Sequence, residues 1–190
     1  MRVIGIDPGS RSLGYGIVED RRGRVAHVAH GVIRAPAEAR LEHRLREIFS
    51  QLCAAVLLYR PDSAAIEGVF AFRNLRSALV LGHARGVALL VASQNGLSVH
   101  EYAPSRVKRS VGASGASGKD AVARMVNWFL RLPQLESGDA TDALAVAICH
   151  LNHSRLARAR PHGSSRAEFD KTGMDQRLAP SYRRFEVGGG

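Results

Sequence analysis

Three β-rich apolar segments lie within the first 34 residues, and they constrain the possible folds more than any other feature of the chain. They cover residues 3–7, 13–18 and 25–34, and only a few residues connect each segment to the next. Connections this short cannot carry a strand into a parallel position, whereas a tight turn can join antiparallel neighbours. The sequence therefore predicts an antiparallel meander at the start of the chain.

The following residues alternate helices with strands. Apolar residues recur at helical spacing over residues 38–59, and Pro61 ends this helix. Further strands are predicted over residues 63–69 and 97–102, and a second helix over residues 75–93 lies between them. Because each of these strands is reached through a helical crossover, we expect both to be parallel members of the sheet.

Three more helices complete the prediction: a short one that begins at Pro104, one over residues 119–130 and one over residues 138–153. This order is typical of an α/β fold with a mixed five-stranded sheet and helices on both faces. We assign residues 1–154 to one domain. Residues 155–190 carry eight Lys or Arg against four Asp or Glu and few aliphatic side chains, which predicts a basic, disordered tail. The tail either adds affinity for phosphate or is a solvated terminus.

The composition favours a nucleic acid as partner. The chain has 27 Lys or Arg against 17 Asp or Glu, a formal net charge of +10, and such a surplus is typical of proteins that bind polyanions. Cys53 and Cys149 are interpreted as buried free thiols in a reducing compartment. We find no signal pattern and no apolar run as long as a membrane span, so we expect a cytoplasmic protein without membrane contact.

Four acidic residues occupy unusual positions. Asp7 ends the first apolar strand, Glu67 lies within or at the end of another, and Asp139 and Asp142 share one face at the start of the last helix. A carboxylate in an apolar strand is costly unless something compensates its charge. Each acid also has an ordinary interpretation as a turn former, a helix-start residue or an exposed side chain. Glu67 resists such an interpretation most, because its neighbours are apolar on both sides.

A divalent cation would compensate these acids. Hard cations such as Mg²⁺ prefer oxygen ligands and usually take a few carboxylates together with water and phosphate. Four acids at strand ends could hold two such ions about 4 Å apart, and such a pair activates water and stabilises the leaving oxygen in phosphodiester hydrolysis. The residues alone therefore indicate a phosphoryl-transfer site without specifying its substrate.

Four segments match a known family in order and spacing. They are residues 5–16 (Gly-Ile-Asp-Pro-Gly-Ser-Arg, then Gly-Tyr-Gly), 66–70 (Ile-Glu-Gly-Val-Phe), 77–87 (Ser-Ala-Leu, then Leu-Gly-His-Ala-Arg-Gly-Val) and 139–145 (Asp-Ala-Thr-Asp-Ala-Leu-Ala). Over about residues 1–154 the chain resembles the RuvC-type Holliday-junction resolvases. The resemblance implies an RNase H-like fold and a homodimer that nicks two strands of four-way junction DNA symmetrically. It further implies two ions, Mg²⁺ or Mn²⁺, in each active site, and branch-migration proteins of the RuvA and RuvB type as partners.

The resemblance also assigns roles to residues. It carries catalysis and metal ligation onto Asp7, Glu67, Asp139 and Asp142, although Asp142 could act indirectly through another ligand. DNA contacts are expected from five further side chains: Phe70, Arg73, Arg76, Lys108 and Lys119. The two lysines match family positions near the scissile phosphate, and Phe70 is suited to stack on an unpaired base. Each lysine also has an ordinary interpretation as a surface residue, and Phe70 has one as a core aromatic residue.

Three other functions remain open on the residues. The chain could be a catalytically inactive module that binds branched DNA, but four carboxylates facing phosphate without metal would repel it. It could be an RNase H-type nuclease with another substrate. An ATPase of the actin and sugar-kinase type shares an Asp-x-Gly-Ser/Thr opening strand, but such proteins need two domains, and this chain is short and basic. Gly68 and the Gly/Ser-rich residues 112–118 depart from the RuvC pattern, which leaves junction selectivity open.

Overall fold

A computed structural model describes residues 1–68, 75–112, 119–132, 135 and 138–159. The strands are β1 (Arg2–Asp7), β2 (Ser12–Arg21), β3 (Arg24–Arg34), β4 (Ser63–Glu67) and β5 (Ser98–Tyr102). The helices are α1 (Leu41–Tyr59), α2 (Leu75–Gln94), α3 (Pro104–Ser110), α4 (Lys119–Leu130) and α5 (Asp139–Ala159).

The strands form one mixed sheet in the order β3-β2-β1-β4-β5. The first three are antiparallel neighbours, whereas β4 and β5 join the other side of β1 in parallel. At the β2–β3 turn, Arg22 and Gly23 both have positive φ, at 51° and 82°. Two such residues match the twist of a tight hairpin. The predicted meander, the parallel crossovers and the mixed five-stranded sheet are all confirmed.

The sheet buries a separate core on each face. Alternate strand residues such as Val3 and Ala65 pack with α3, α4 and α5. The intervening residues, such as Ile4 and Ile66, pack with α1 and α2. This division follows from the two-residue period of a strand, which sends successive side chains to opposite faces. The prediction of helices on both faces is confirmed.

The last helix extends further than the sequence suggested. α5 continues to Ala159 instead of ending near His153. Its last turns carry mainly polar residues, so the apolar pattern stops before the helix does. A tertiary contact anchors this part, because the Arg155 guanidinium holds the Asp20 carboxylate on β2 with N–O distances of 2.9 and 3.0 Å.

α2 corrects one expectation about membranes. By length and composition alone this helix is apolar enough to cross a bilayer. The sequence did not reveal an apolar run of this length because Arg76 and Arg85 interrupt it. In the fold, Ala84, Ala88 and Val91 of α2 are fully buried against the sheet, but only 22% of the apolar window is buried.

The contact between β5 and α5 centres on a buried histidine. His150 is 2% exposed, its Nδ1 lies 2.7 Å from the Tyr102 hydroxyl, and its ring stacks on His100 at 4.2 Å. Burial, reinforced by His100 and His153, lowers the pKa of His150 to about 4.

We expect His150 to make the fold sensitive to mild acid. The unfolded chain binds this proton near pH 6.5, whereas the folded chain binds it only near pH 4, so protons favour unfolding between these values. The contribution is complete above pH 6.5 and is lost as the pH falls towards 4, by up to about 3 kcal/mol. Urea denaturation at neutral and mildly acidic pH measures this loss.

The His150→Gln variant should flatten the pH dependence, because glutamine does not titrate but retains a polar group toward Tyr102. A matched His43→Gln variant changes an exposed histidine of α1 and should leave the dependence as it is in the wild type. A His150→Gln variant that loses stability in acid as steeply as the wild type would contradict the assignment.

Candidate active site

Two acids lie next to each other where β1 and β4 end. Asp7 is the last residue of β1 and Glu67 the last of β4. The preceding residues, Ile6 and Ile66, are partners in the parallel ladder. The two acids therefore follow in register, with their Cα atoms about 5 Å apart at the usual strand spacing. The two-residue period places both on the face that carries Ala65, which is the face covered by α5.

The start of α5 lies directly on the neighbouring strand. Gly14 of β2 is the register partner of Asp7. A Cβ atom on Gly14 would lie 1.9 Å from the Asp139 carbonyl oxygen and 2.9 Å from the Asp139 Cβ. Only a residue without a side chain leaves room for this approach. Asp139 is thereby held beside Asp7, on the opposite side from Glu67.

A second glycine extends the contact along α5. A Cβ atom on Gly5 of β1 would lie 2.1 Å from the Ala143 carbonyl oxygen and 2.6 Å from the Ala147 nitrogen. Asp142 directly precedes Ala143 in the first turn of α5. The same close packing therefore brings Asp142 to the edge of the sheet where β1 ends.

Thr141 fixes the geometry of this first turn. Its hydroxyl accepts a hydrogen bond from the Gly138 amide at 2.9 Å and donates one to the Gly138 carbonyl at 2.7 Å. The Asp142 amide donates to the same carbonyl at 3.0 Å. Thr141 is 2% exposed, so the bonds are shielded from water. Asp139 and Asp142 thus lie in the first turn of α5, where the helix dipole favours negative charge.

The site is open to small ions. All four acids are half-buried, so they are neither sealed in the core nor fully solvated. In sheets of this kind, ligands bind outside the carboxyl ends of parallel strands, which is where Asp7 and Glu67 lie. The structure thus places Asp7, Glu67 and the first turn of α5, which carries Asp139 and Asp142, at one edge and on one face of the sheet. Within the described part of the chain, these acids do not form a group of three or more side chains that could hold a metal ion. Their role as metal ligands stays a prediction.

The predicted DNA-contact residues are distributed around this edge. Lys108 is half-buried in α3, on the face that α5 covers, and Lys119 begins α4. Arg76 is exposed near the start of α2, on the other face. Phe70 and Arg73 lie outside the described residues. DNA binding by these five residues stays a prediction.

Sequence reasoning did not recognise the positioning role of Gly5, Gly14 and Thr141. In the sequence, Gly5 and Gly14 were recognised only as members of a family motif. A glycine inside a strand often marks a place where another backbone approaches closely, and this signal was available. The two hydrogen bonds between Thr141 and Gly138 were harder to predict from the sequence, because they depend on where α5 begins.

The sheet order, the helices on both faces and the acids at the carboxyl edge define an α/β protein of the RNase H-like class. The sequence matches the family described as Crossover junction endodeoxyribonuclease RuvC over residues 3–150. The chain belongs to the RuvC family.

Individual relatives agree with this assignment. The chain is 58% identical to the crossover junction endodeoxyribonuclease RuvC of Myxococcus xanthus, over 98% of this chain and 100% of that protein. It is 46% identical to the protein of the same name from Trichlorobacter lovleyi, over 82% and 88% of the two chains. Thermus thermophilus RuvC, solved in complex with a Holliday junction substrate, aligns with a TM-score of 0.77 and 30% identity, over 83% and 96% of the chains.

A Gly14→Ala substitution tests the close approach of α5. The added methyl group collides with the backbone at Asp139, so either α5 moves or the fold loses stability. We expect the free energy of unfolding to fall by about 1 to 3 kcal/mol, as overpacking usually costs. Denaturant titration measures this change.

Gly82→Ala is the matched control, because a Cβ on Gly82 in α2 would meet no atom within 4 Å. Alanine there should raise the free energy of unfolding by about 0.5 to 1 kcal/mol through its better helix propensity. Equal effects of the two substitutions would show that Gly14 is not needed for the contact with Asp139.

Proposed function

We propose that this chain is a structure-specific DNA endonuclease that resolves four-way junctions by metal-dependent nicking of two strands. The observation that carries the proposal is that Asp7, Glu67 and the start of α5 lie at one edge of the sheet in a member of the RuvC family. Its relatives are named crossover junction endodeoxyribonucleases, and a 30% identical relative was solved with a Holliday junction. Recombination and DNA repair are the processes in which such junctions arise.

The donor set suits two hard divalent cations, and we infer Mg²⁺ or Mn²⁺ as the ions. When bound, such ions activate a water and stabilise the oxygen that leaves the phosphodiester. Asp7 is the central residue, because Glu67 follows in register on one side and Asp139 lies over Gly14 on the other. Asp7, together with Glu67 and Asp139, would therefore hold the ions. Asp142, one helical turn beyond Asp139, completes the set either directly or through another ligand.

Positive charge would balance the acids where DNA approaches. A lysine meets a phosphate as a compact point charge, and half-buried Lys108 lies on the same face of the sheet as the acids. On the family resemblance we also propose Lys119, Arg76, Arg73 and Phe70 as DNA contacts. The same resemblance supports RuvA- and RuvB-type branch-migration partners. From the sequence itself we also propose a cytoplasmic location and phosphate binding by the basic residues 155–190.

Neutralising single acids should abolish cleavage but preserve DNA binding. We expect Asp7→Asn and Glu67→Gln to cut a synthetic four-way junction at least about a hundredfold more slowly, because each loses one charge of the metal-binding set. Cleavage is measured with Mg²⁺, with Mn²⁺ and with a chelator, and binding is measured by gel shift. The Glu42→Gln variant, which changes an exposed acid on α1, is the control and should cut normally.

Cleavage assays with other nucleic acids distinguish the alternative functions. Matched linear duplex and an RNA–DNA hybrid should remain uncut under conditions in which the junction is nicked in pairs. Cutting of the hybrid would retain the chemistry but assign an RNase H-type substrate. Junction binding without cleavage under either metal would indicate an inactive binding module. Wild-type activity in Glu67→Gln would refute the site.

We also propose a homodimer, which the surface of α2 supports. Leu75, Leu79 and Leu90 are 77%, 58% and 49% exposed, although α2 is one of the most apolar helices of the chain. An exposed apolar face of this kind is typical of an interface between subunits. Two sites related by a two-fold axis would also suit a junction that is itself two-fold symmetric.

The dimer is tested by placing a charge on α2. Leu79→Glu should shift the protein from dimer to monomer in sedimentation equilibrium, because burying an unpaired carboxylate in an apolar interface is unfavourable. The junction should then be nicked on one strand at a time instead of in pairs. Leu156→Glu, at an exposed leucine of α5, is the control and should stay dimeric. A dimer of unchanged strength in Leu79→Glu would exclude α2 from the interface.

A further inference from the structure

A second concave surface lies at the end of the sheet away from the acids. It is bounded by the β2–β3 turn, the end of α4 and the C-terminal half of α5, and it encloses about 1010 Å³. We call it the hairpin groove and define it by Arg24, Val25, Trp128, Arg131 and Leu132, which are among the residues that line it. The turn lies beside the start of β1 and the acids lie beside its end, so about 17 Å of strand separates the two surfaces.

Trp128 is the unusual feature of this groove. It is the single tryptophan of the chain, and 72% of it is exposed. The buried residues of α4, including Val126 and Leu130, lie on the opposite side of the helix. Trp128 therefore contributes little to the core, and its exposed indole adjoins the groove lined by Val25 and Leu132. A large exposed aromatic beside an apolar hollow is typical of an interaction site.

The charges around the groove are unequally compensated. Arg155 is paired with Asp20, and Arg21 is paired with Glu19. By contrast, Arg24 and Arg131 are exposed and form no ion pair with any residue that the structure describes. The described lining contains no acidic residue. The groove thus presents two available guanidinium groups next to one indole ring.

We propose that the hairpin groove binds an acidic segment of a partner protein. A large apolar side chain of that segment would pack against Trp128, and its carboxylates would meet Arg24 and Arg131. Guanidinium groups bind carboxylates through paired hydrogen bonds, and tryptophan and arginine dominate the binding energy of many protein interfaces.

A nucleic acid fits this groove less well than an acidic peptide does. A polynucleotide backbone requires a row of cations along its path, but two of the four arginines that line the groove, Arg21 and Arg155, are already paired with carboxylates. Its apolar floor would contribute nothing to phosphate binding. The inference does not use the four acids, so it is independent of the proposed nuclease function.

The experiment selects ligands for the full-length protein from a displayed library of random peptides. The enriched peptides should combine Asp or Glu with a large apolar residue, and a synthetic copy should change the fluorescence of Trp128. Because the chain has one tryptophan, this signal localises binding to the groove. Calorimetry then compares variants, and Trp128→Ala and the double variant Arg24→Glu/Arg131→Glu should each weaken binding by about 30-fold or more.

Matched controls remove an exposed leucine and an exposed arginine elsewhere on the surface. Leu58→Ala and Arg46→Glu, both on α1, should bind the peptide as the wild type does. Cleavage of four-way junctions by Trp128→Ala should also be unchanged, because the groove is remote from the acids. Failure of peptide binding and failure of the nuclease are therefore distinguishable.

Three results would overturn the proposal. Selected peptides that lack acids, or that bind the variants normally, would exclude the groove as their site. A short oligonucleotide that changes the Trp128 signal and displaces the peptide would identify a nucleic acid site instead. Loss of self-association in Trp128→Ala would show that the groove is covered by a second copy of this chain.

Discussion

The rest of the structure depends on the close approach of α5 to the centre of the sheet. Gly5 and Gly14 leave no side chain between the strands and the helix backbone, so the backbone of α5 packs directly against β1 and β2. Protein interiors are close-packed, and a single additional methyl group at such a position forces a displacement. This contact determines how close α5 lies to the sheet and in which direction it runs. It therefore also determines the positions of the side chains on the helix.

The candidate active site follows from that contact. β1 and β4 bring Asp7 and Glu67 together by register, but Asp139 joins them only because α5 starts over Gly14. Thr141 then secures the first helical turn to Gly138. The concentration of negative charge is acceptable at this open edge, where the helix dipole and a bound cation both favour it. The proposed catalytic carboxylates thus lie on strands and a helix instead of on a loop.

The same helix connects the site to the other end of the sheet. From Asp139 to Arg155 it rises about 24 Å, and on its way it packs His150 against Tyr102 of β5. At its far end Arg155 clamps the β2–β3 hairpin through Asp20, next to the hairpin groove. One rigid element therefore holds two surfaces of opposite charge at a constant separation. The chemistry proposed for one surface and the partner binding proposed for the other would then not interfere with each other.

The sequence by itself determined the order of strands and helices, the mixed sheet, both buried faces and the four acids, because these depend on periodicity and on connection length. The resemblance added the family, and the comparisons confirmed it. Tertiary structure alone decided where α5 ends, since the anchor of Arg155 on Asp20 joins residues distant in sequence. It also decided that Trp128 is exposed and that Gly14 faces Asp139. Such features depend on contacts between segments that are distant in sequence, and a local pattern of residues does not predict those contacts.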